Sequence, residues 1–300
     1  MQSLNPRQRA SFIVDEKQIP DGRPLPSLAV VIVLHQPHRE WLQRTVASLC
    51  AALEHARADG LLGSTCIGFV DNGVVPAMPD FEAVVRHQLS AGYPEASIQV
   101  FAGHGNIGFG AGNNLAARKL PATDFLLVLN PDVEMNVDAL SHAIRFMVQE
   151  RACVTVTPVA LSPDGRPQFL VKNYPRVLVL AIRGFAPGWL KNALQRRLDE
   201  YDRADRPFDS PLMDARIVSG CFMLIRRAAF DQVQGFDERF FLYFEDFDLS
   251  LRLSEIGAIA RLPDCRIVHA GGQASSKGLR HIGMFIRSAV RFFNKHGWRW

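Results

Sequence analysis

The chain has 300 residues, 48% hydrophobic and 21% charged, a balance that builds a sizeable core and excludes a disordered chain. Its net charge of +4 is spread along most of the sequence, which argues against a dedicated nucleic-acid binder. No apolar run approaches the roughly 18 residues of a membrane span. The start, MQSLNPRQRASF, lacks the apolar core of a signal peptide, so a cytoplasmic chain is expected.

The first 27 residues carry four prolines and no apolar periodicity, and read as an extended leader. From Leu28 the pattern alternates. LAVVIVL (28–34) is followed by a helical stretch around Glu40 to Ala56, CIGFVDN (66–72) and a helix near Phe81 to Leu89. Then come SIQVFAG (97–103), a helix from Asn113 to Lys119, and DFLLVLNPD (124–132). Short apolar strands alternating with helices predict a mostly parallel sheet covered on both faces, with ligands at the carboxyl ends of its strands.

The regularity changes after a helix from Asn136 to Arg151. VTVTPVALSPDGRPQFLVKNY predicts two strands joined by a Pro-Asp-Gly turn, a smaller antiparallel element. Helical sequence from Arg176 to Leu198 is interrupted by GFAPGW, and ARIVSGCFMLIRRAAF reads as a strand running into a short helix. From Leu279 to Arg299 a helical wheel sets Leu279, Ile282, Phe285, Ile286, Ala289, Val290, Phe292 and Phe293 opposite Arg280, Arg287, Arg291 and Lys295. That basic amphipathic helix packs on the core or meets a membrane surface. Five cysteines without a CxxC pair predict packed thiols rather than disulfides or a zinc site.

Three stretches carry chemistry. GHGNIG (103–108) satisfies the G-x-G-x-x-G pattern of a dinucleotide turn, but it follows the third strand, while the first ends in LHQPHRE without a glycine. An NAD-dependent oxidoreductase is thus the alternative class, lacking the context that gives the fingerprint its meaning. LNPDV places Asn130 and Asp132 at the end of a buried strand. A carboxylate there suits a divalent ion carrying a diphosphate, or caps the following helix. EDFD sets Glu245, Asp246 and Asp248 ahead of a helix. Asp248 can pair with Arg252 four residues on, leaving Glu245 and Asp246 to face a cleft where one is a general base, or the whole cluster is cap and ion pair. His269 closes another apolar strand, as a core residue or a metal ligand.

VVIVL, FVDN, GNIGFGAGNN, LNPDV, SGCFMLIRR, GFDERFFLYFEDFDLSLR and the histidine segment stand in the order and spacing of family 2 inverting glycosyltransferases. The chain most resembles bacterial rhamnosyltransferases that use dTDP-L-rhamnose, across residues 28–295. The resemblance implies the GT-A nucleotide-diphospho-sugar transferase fold, α/β with a mostly parallel central sheet flanked by helices. Residues 28–300 would form one domain, with 28–135 binding the nucleotide and 136–300 the acceptor.

By position, the resemblance gives Asp71 and Asn72 contacts to the pyrimidine base, and Asn106, Gly108 and Asn113 a place in the nucleotide pocket. Asp132 is the last acid of a DxD metal motif whose first acid is Asn130 here. His269 completes the Mg²⁺ or Mn²⁺ site, and Asp246 is the catalytic base, with Glu245 the next candidate. The first strand ends in Leu34, His35, Gln36 and Pro37, where many relatives carry an aromatic residue and asparagine. The implied partners are a dTDP-sugar or UDP-sugar donor, a glycan or lipid-linked saccharide acceptor, peripheral contact with the inner membrane face, and no nucleic acid. A non-catalytic sugar-binding or lipid-surface protein is a further alternative, against which the EDFD cluster counts.

Overall fold

The computed structural model describes residues 24–73, 89, 93, 96–271 and 279–300. Most of the leader and all of the helix expected at Phe81–Leu89 except Leu89 lie outside them. Strand β1 (Leu28–Leu34) is buried at all seven positions because both its faces are covered. Val30, Ile32 and Leu34 point into one core with Leu42, Val46, Leu49 and Leu53 of helix α1 (Arg39–Ala58). Ala29, Val31 and Val33 point into the other, with Ala116 and Ala117 of helix α2 (Phe109–Lys119). The period-2 alternation of one strand thus divides the helices into two layers.

Strands β2 (Thr65–Asp71), β3 (Ser97–Phe101) and β4 (Phe125–Leu129) join β1 in parallel, in the order β3-β2-β1-β4. Beyond β4 come β5 (Val133–Met135), helix α3 (Ala139–Gln149) and β6 (Cys153–Leu161), with α3 adding Leu140, Ala143 and Ile144 to the α1 layer. The expected hairpin is present: β6 turns back into β7 (Pro167–Gln168), pairing Ala160 with Gln168. A small antiparallel ribbon joins β8 (Val171–Lys172) to β10 (Ile217–Val218). Between them lie helices α4 (Val177–Phe185), α5 (Gly188–Ala193) and α6 (Gln195–Asp202), the segmentation that GFAPGW indicates, and strand β9 (Leu212–Ala215).

Strand β11 (Phe222–Arg226) is the topological turning point. It runs antiparallel between β4 and β6, pairing Phe222 with Leu129, and leads into helix α7 (Arg227–Gln232). Helix α8 (Glu245–Ser254), strand β12 (Ala258–His269) and helix α9 (Leu279–His296) complete the chain. β12 pairs in parallel with β6 and antiparallel with β5, where His269 faces Val133.

Three expectations need correction. Helix α2 begins at Phe109, four residues before Asn113, because its glycines are packing residues; a Cβ on Gly112 would lie 3.1 Å from the methyls of Val33. On α9, Phe292 and Phe293 are buried, but Ile286 and Val290, expected on the packed stripe, are 49% and 41% exposed. Lys295 is not on a free basic face, since its ammonium reaches Asp237 at 2.8 Å and Asp248 at 2.6 Å. The five cysteines are buried and unbridged. Among the described residues, no helix is long and apolar enough to cross a membrane.

Candidate active site

The sheet topology gathers the strand ends that carry chemistry. Because β11 is antiparallel to β4, the residues after β4 meet those before β11, and the Asn130 amide donates to the Cys221 carbonyl at 2.9 Å. Because β5 is antiparallel to β12, Asp132 meets His269: Oδ1 lies 3.5 Å from Nε2, and the Ala270 amide donates to the Asp132 carbonyl at 3.0 Å.

Asp132 Oδ1 is buried without a hydrogen-bond partner among the described residues, and His269 is 7% exposed. Beside them Gly271 leaves a cradle: a Cβ there would stand 2.5 Å from Asp132 Oδ2 and 2.9 Å from His269 Nε2. Gln168 lies 2.9 Å from His269 Nδ1 through Oε1, and its Nε2 donates to the His269 carbonyl at 2.8 Å. An orphaned carboxylate oxygen and an imidazole nitrogen, beside a glycine whose missing Cβ leaves them uncrowded, fit a divalent ion. The described residues contain no group of three metal-ligating side chains, so other ligands would come from a diphosphate and water, as hard cations prefer.

The ends of β1, β2 and β3 form the adjoining wall. Asn72 is buried; its Nδ2 donates to the Gly108 carbonyl at 2.9 Å, and its Oδ1 has no partner among the described residues. Asn106 Oδ1 accepts the Gly108 amide at 3.0 Å, closing the turn that reads as a dinucleotide fingerprint. His35 Nδ1 lies 3.4 Å from Asn106 Nδ2. Gly108 has φ of 94°, and a Cβ would come within 2.5 Å of the Phe241 carbonyl, so only glycine lets this turn press against the carboxyl-terminal half.

These residues surround a cavity of about 450 Å³. Asn72, Asn106, Gly108, Asn130 and Asp132 line it, together with Trp41, Phe109, Phe241 and Ala270. His269 stands behind Asp132. Asp71 is half-buried, and its Oδ1 accepts the Gly73 amide at 2.8 Å. Asn113 does not reach the cavity: it is fully buried on α2, donating from Nδ2 to the Phe109 carbonyl at 3.0 Å.

Asp246 lies one side chain behind the cavity wall, since a Cβ on Gly220 would touch both Phe109 Cε1 at 3.1 Å and Asp246 Cβ at 3.2 Å. Its carboxylate accepts the amides of Gly220 at 3.0 Å and Phe247 at 2.9 Å. Burial raises its pKa against the lowering by those amides. Glu245 is 5% exposed with Oε2 unpartnered among the described residues, and burial and then the Asp246 charge push its pKa well above the usual range. A carboxyl whose pKa is raised is a better base than an ordinary carboxylate. The turn before α8 is strained, with Tyr243 and Phe244 at φ of 69° and 66°. Phe244 is buried against Phe285 and Phe292 of α9, and that packing holds the left-handed pair.

Asp248 has another task. It is fully buried and accepts from Arg252 at 2.8 Å and from His296 at 2.7 Å, with Lys295 at 2.6 Å. Burial alone would raise its pKa, but the hydrogen bonds from His296 and Lys295 and the Arg252 charge outweigh that and lower it. The expected pair with Arg252 lies within α8, and Lys295 and His296 add a tie from Asp248 to α9. The N-cap residue of α8, Phe244, makes no side-chain capping bond, while Asp246 accepts the first-turn amide of Phe247. Reading by sequence missed Trp41, although HREW follows the first strand, and Gln168, for which the hairpin gave no chemical signal.

No family model matches the chain. It is 27% identical to the N-acetylglucosaminyl-diphospho-decaprenol L-rhamnosyltransferase of Mycobacterium tuberculosis over 293 residues, covering 90% of this chain and 86% of that protein. It is also 27% identical to rhamnosyltransferase WbbL of Escherichia coli K12, over 77% of this chain and 78% of that one. Among solved structures, the fold is similar to that of GalNAc-T7 crystallised with UDP, GalNAc and Mn²⁺. The TM-score is 0.57 at 16% identity, covering 90% of this chain but only 48% of that one, so the chain spans about half its length.

Proposed function

From the premise that this chain is a rhamnosyltransferase-like family 2 glycosyltransferase of GT-A fold, we propose that it moves L-rhamnose from dTDP-L-rhamnose to a hydroxyl of a lipid-linked cell-surface glycan precursor. The observation that supports the reading is that Asp132 lines a cavity between the strand ends, with His269 beside it and Asp246 close behind the cavity-lining Phe109. The acceptor named for the mycobacterial relative, a diphospho-decaprenol sugar, supports a lipid-linked substrate.

In this reading residues 28–135 hold the donor and 136–300 the acceptor. Asp71 and Asn72 read the pyrimidine, the unpaired Asn72 Oδ1 accepting from its ring N–H, and Asn106 and Gly108 shape the pocket floor. Asn113 acts from behind, anchoring the first turn of α2. Asp132 and His269 would hold Mg²⁺ or Mn²⁺, with Asn130 beside them; a bound divalent ion supplies Lewis-acid charge to the departing diphosphate. Asp246 takes the acceptor hydroxyl proton while the oxygen attacks the anomeric carbon. The bond from that carbon to the β-phosphate oxygen breaks, its electron pair leaves with dTDP, and one displacement inverts the centre. Exposed Ile286 and Val290 beside Arg287 suit peripheral contact with an anionic membrane face.

A UDP-sugar donor is the second reading, because Asn72 Oδ1 would accept equally from the ring N–H of uracil or thymine. A thermal-shift panel of dTDP, UDP, GDP and NAD, with and without Mn²⁺, tests the assignment. A pyrimidine diphosphate stabilises the protein and NAD does not; a shift with NAD alone overturns it.

A further inference from the structure

Away from the donor cavity, two adjoining cavities of about 830 and 510 Å³ open between α6, the β8–β10 ribbon and the last residues of the chain. They share Asn173, Tyr174, Glu200 and Arg216 but differ in charge. The larger sets Arg196, Arg203, Arg206 and Arg216 against Asp199, Glu200, Asp205 and Asp214, so it has no preference of sign. The smaller sets Arg176, Arg197, Arg216 and Arg299 against Glu200 alone.

Those guanidinium groups are uncommitted. Among the described residues the side chains of Arg176, Arg197 and Arg216 make no hydrogen bond or ion pair, and Arg299 rests on the Tyr174 ring at 3.9 Å. A protein usually spends exposed arginines on solvent, but here they share one concavity with an apolar wall. Val179 is buried there, Leu178 is 47% exposed and Trp300 is 75% exposed. Forked cations match phosphate oxygens in pairs, and an apolar surface beside them matches a hydrocarbon chain.

We propose that this groove binds the diphosphate of a lipid-linked acceptor, with the first carbons of its lipid against Leu178, Val179 and Trp300. The inference rests on the transferase reading and extends it to the acceptor. The position is right for that role. Tyr201 forms part of the groove wall, and Phe247, next to the base, packs in one cluster with Val179, Leu198 and Tyr201. A head group in the groove would thus present its sugar toward Asp246. Among the described residues none is shared with the donor cavity, so two diphosphates would occupy separate sites.

The test is geranyl diphosphate binding to the full chain saturated with dTDP and Mg²⁺, compared with the triple variant Arg176→Ala, Arg197→Ala, Arg216→Ala. All three side chains are exposed, so the variant should keep its fold. The expected result is binding that survives dTDP, falls about tenfold in the variant and weakens with salt, as solvent-exposed ion pairs do. Inorganic diphosphate should bind more weakly and geraniol not at all. Equal binding by parent and variant, or displacement by dTDP, overturns the proposal. Inorganic diphosphate binding as tightly as the prenyl compound removes the lipid from it. A parent that fails to bind dTDP condemns the transferase reading instead.

Discussion

The side-chain amide of Gln168 grips His269 at two points, with Oε1 2.9 Å from Nδ1 and Nε2 donating to the His269 carbonyl at 2.8 Å. Donation by Nε2 to that carbonyl, and at 3.3 Å to that of Gly271, fixes which end of the amide is oxygen. Nδ1 of His269 therefore carries the proton, and Nε2 presents its lone pair beside Asp132. Such outer contacts orient a metal ligand and raise its basicity.

Removing this grip should show in metal binding. Gln168→Ala is expected to weaken Mn²⁺ affinity by about 10- to 100-fold, the usual cost of a lost outer-shell partner, with little change in melting temperature. Electron paramagnetic resonance of free Mn²⁺ measures it. Parent-like affinity in the variant would detach Gln168 from the site.

A second consequence concerns stability. Asp248 pairs with Arg252 on its own helix and ties α8 to α9 through Lys295 and His296, so Asp248→Ala leaves Arg252 and Lys295 without their buried counter-charge. It should cost about 3–5 kcal/mol in urea unfolding. The pKa of Asp248 is lowered in the folded state, so its contribution is present above the unfolded value of about 3.9 and is lost as pH falls through the folded value. The gap between parent and variant should therefore close in acid. A pH-independent gap contradicts this role of Asp248.

Glu245 behaves with the opposite sign. Its folded pKa lies above its unfolded one, so the native state holds the proton more tightly and this group's stabilisation declines as pH rises from about 4.3 toward the folded value. Glu245→Gln should raise the melting temperature at pH 8 more than at pH 5. Parallel curves for the two proteins would mean that Glu245 has a cationic partner in solution.

Much of this was readable before folding. The seven apolar residues of β1 declare a strand covered on both faces, and Asp132 and His269 stand at strand ends where a parallel sheet binds ligands. What brings them together is not readable locally: β11 and β12 pair with strands far away in sequence, and a strand's own side chains do not name its neighbour. The partners of Asp248 on α9 were hidden for the same reason, which is why Lys295 looked like a free surface charge. GHGNIG shows the converse. Its last glycine, Gly108, serves a close approach to Phe241, and the pattern alone does not specify a cofactor.

The most direct test is Asp246→Asn, which keeps the shape of the base but cannot take a proton. Transfer from dTDP-L-rhamnose to a lipid-linked acceptor, measured beside dTDP binding, separates chemistry from affinity. Turnover should fall by about a hundredfold to ten-thousandfold while dTDP affinity stays near that of the parent. Near-normal turnover would contradict the account, place the base elsewhere, and leave EDFD as the start of a helix held by the cations around Asp248.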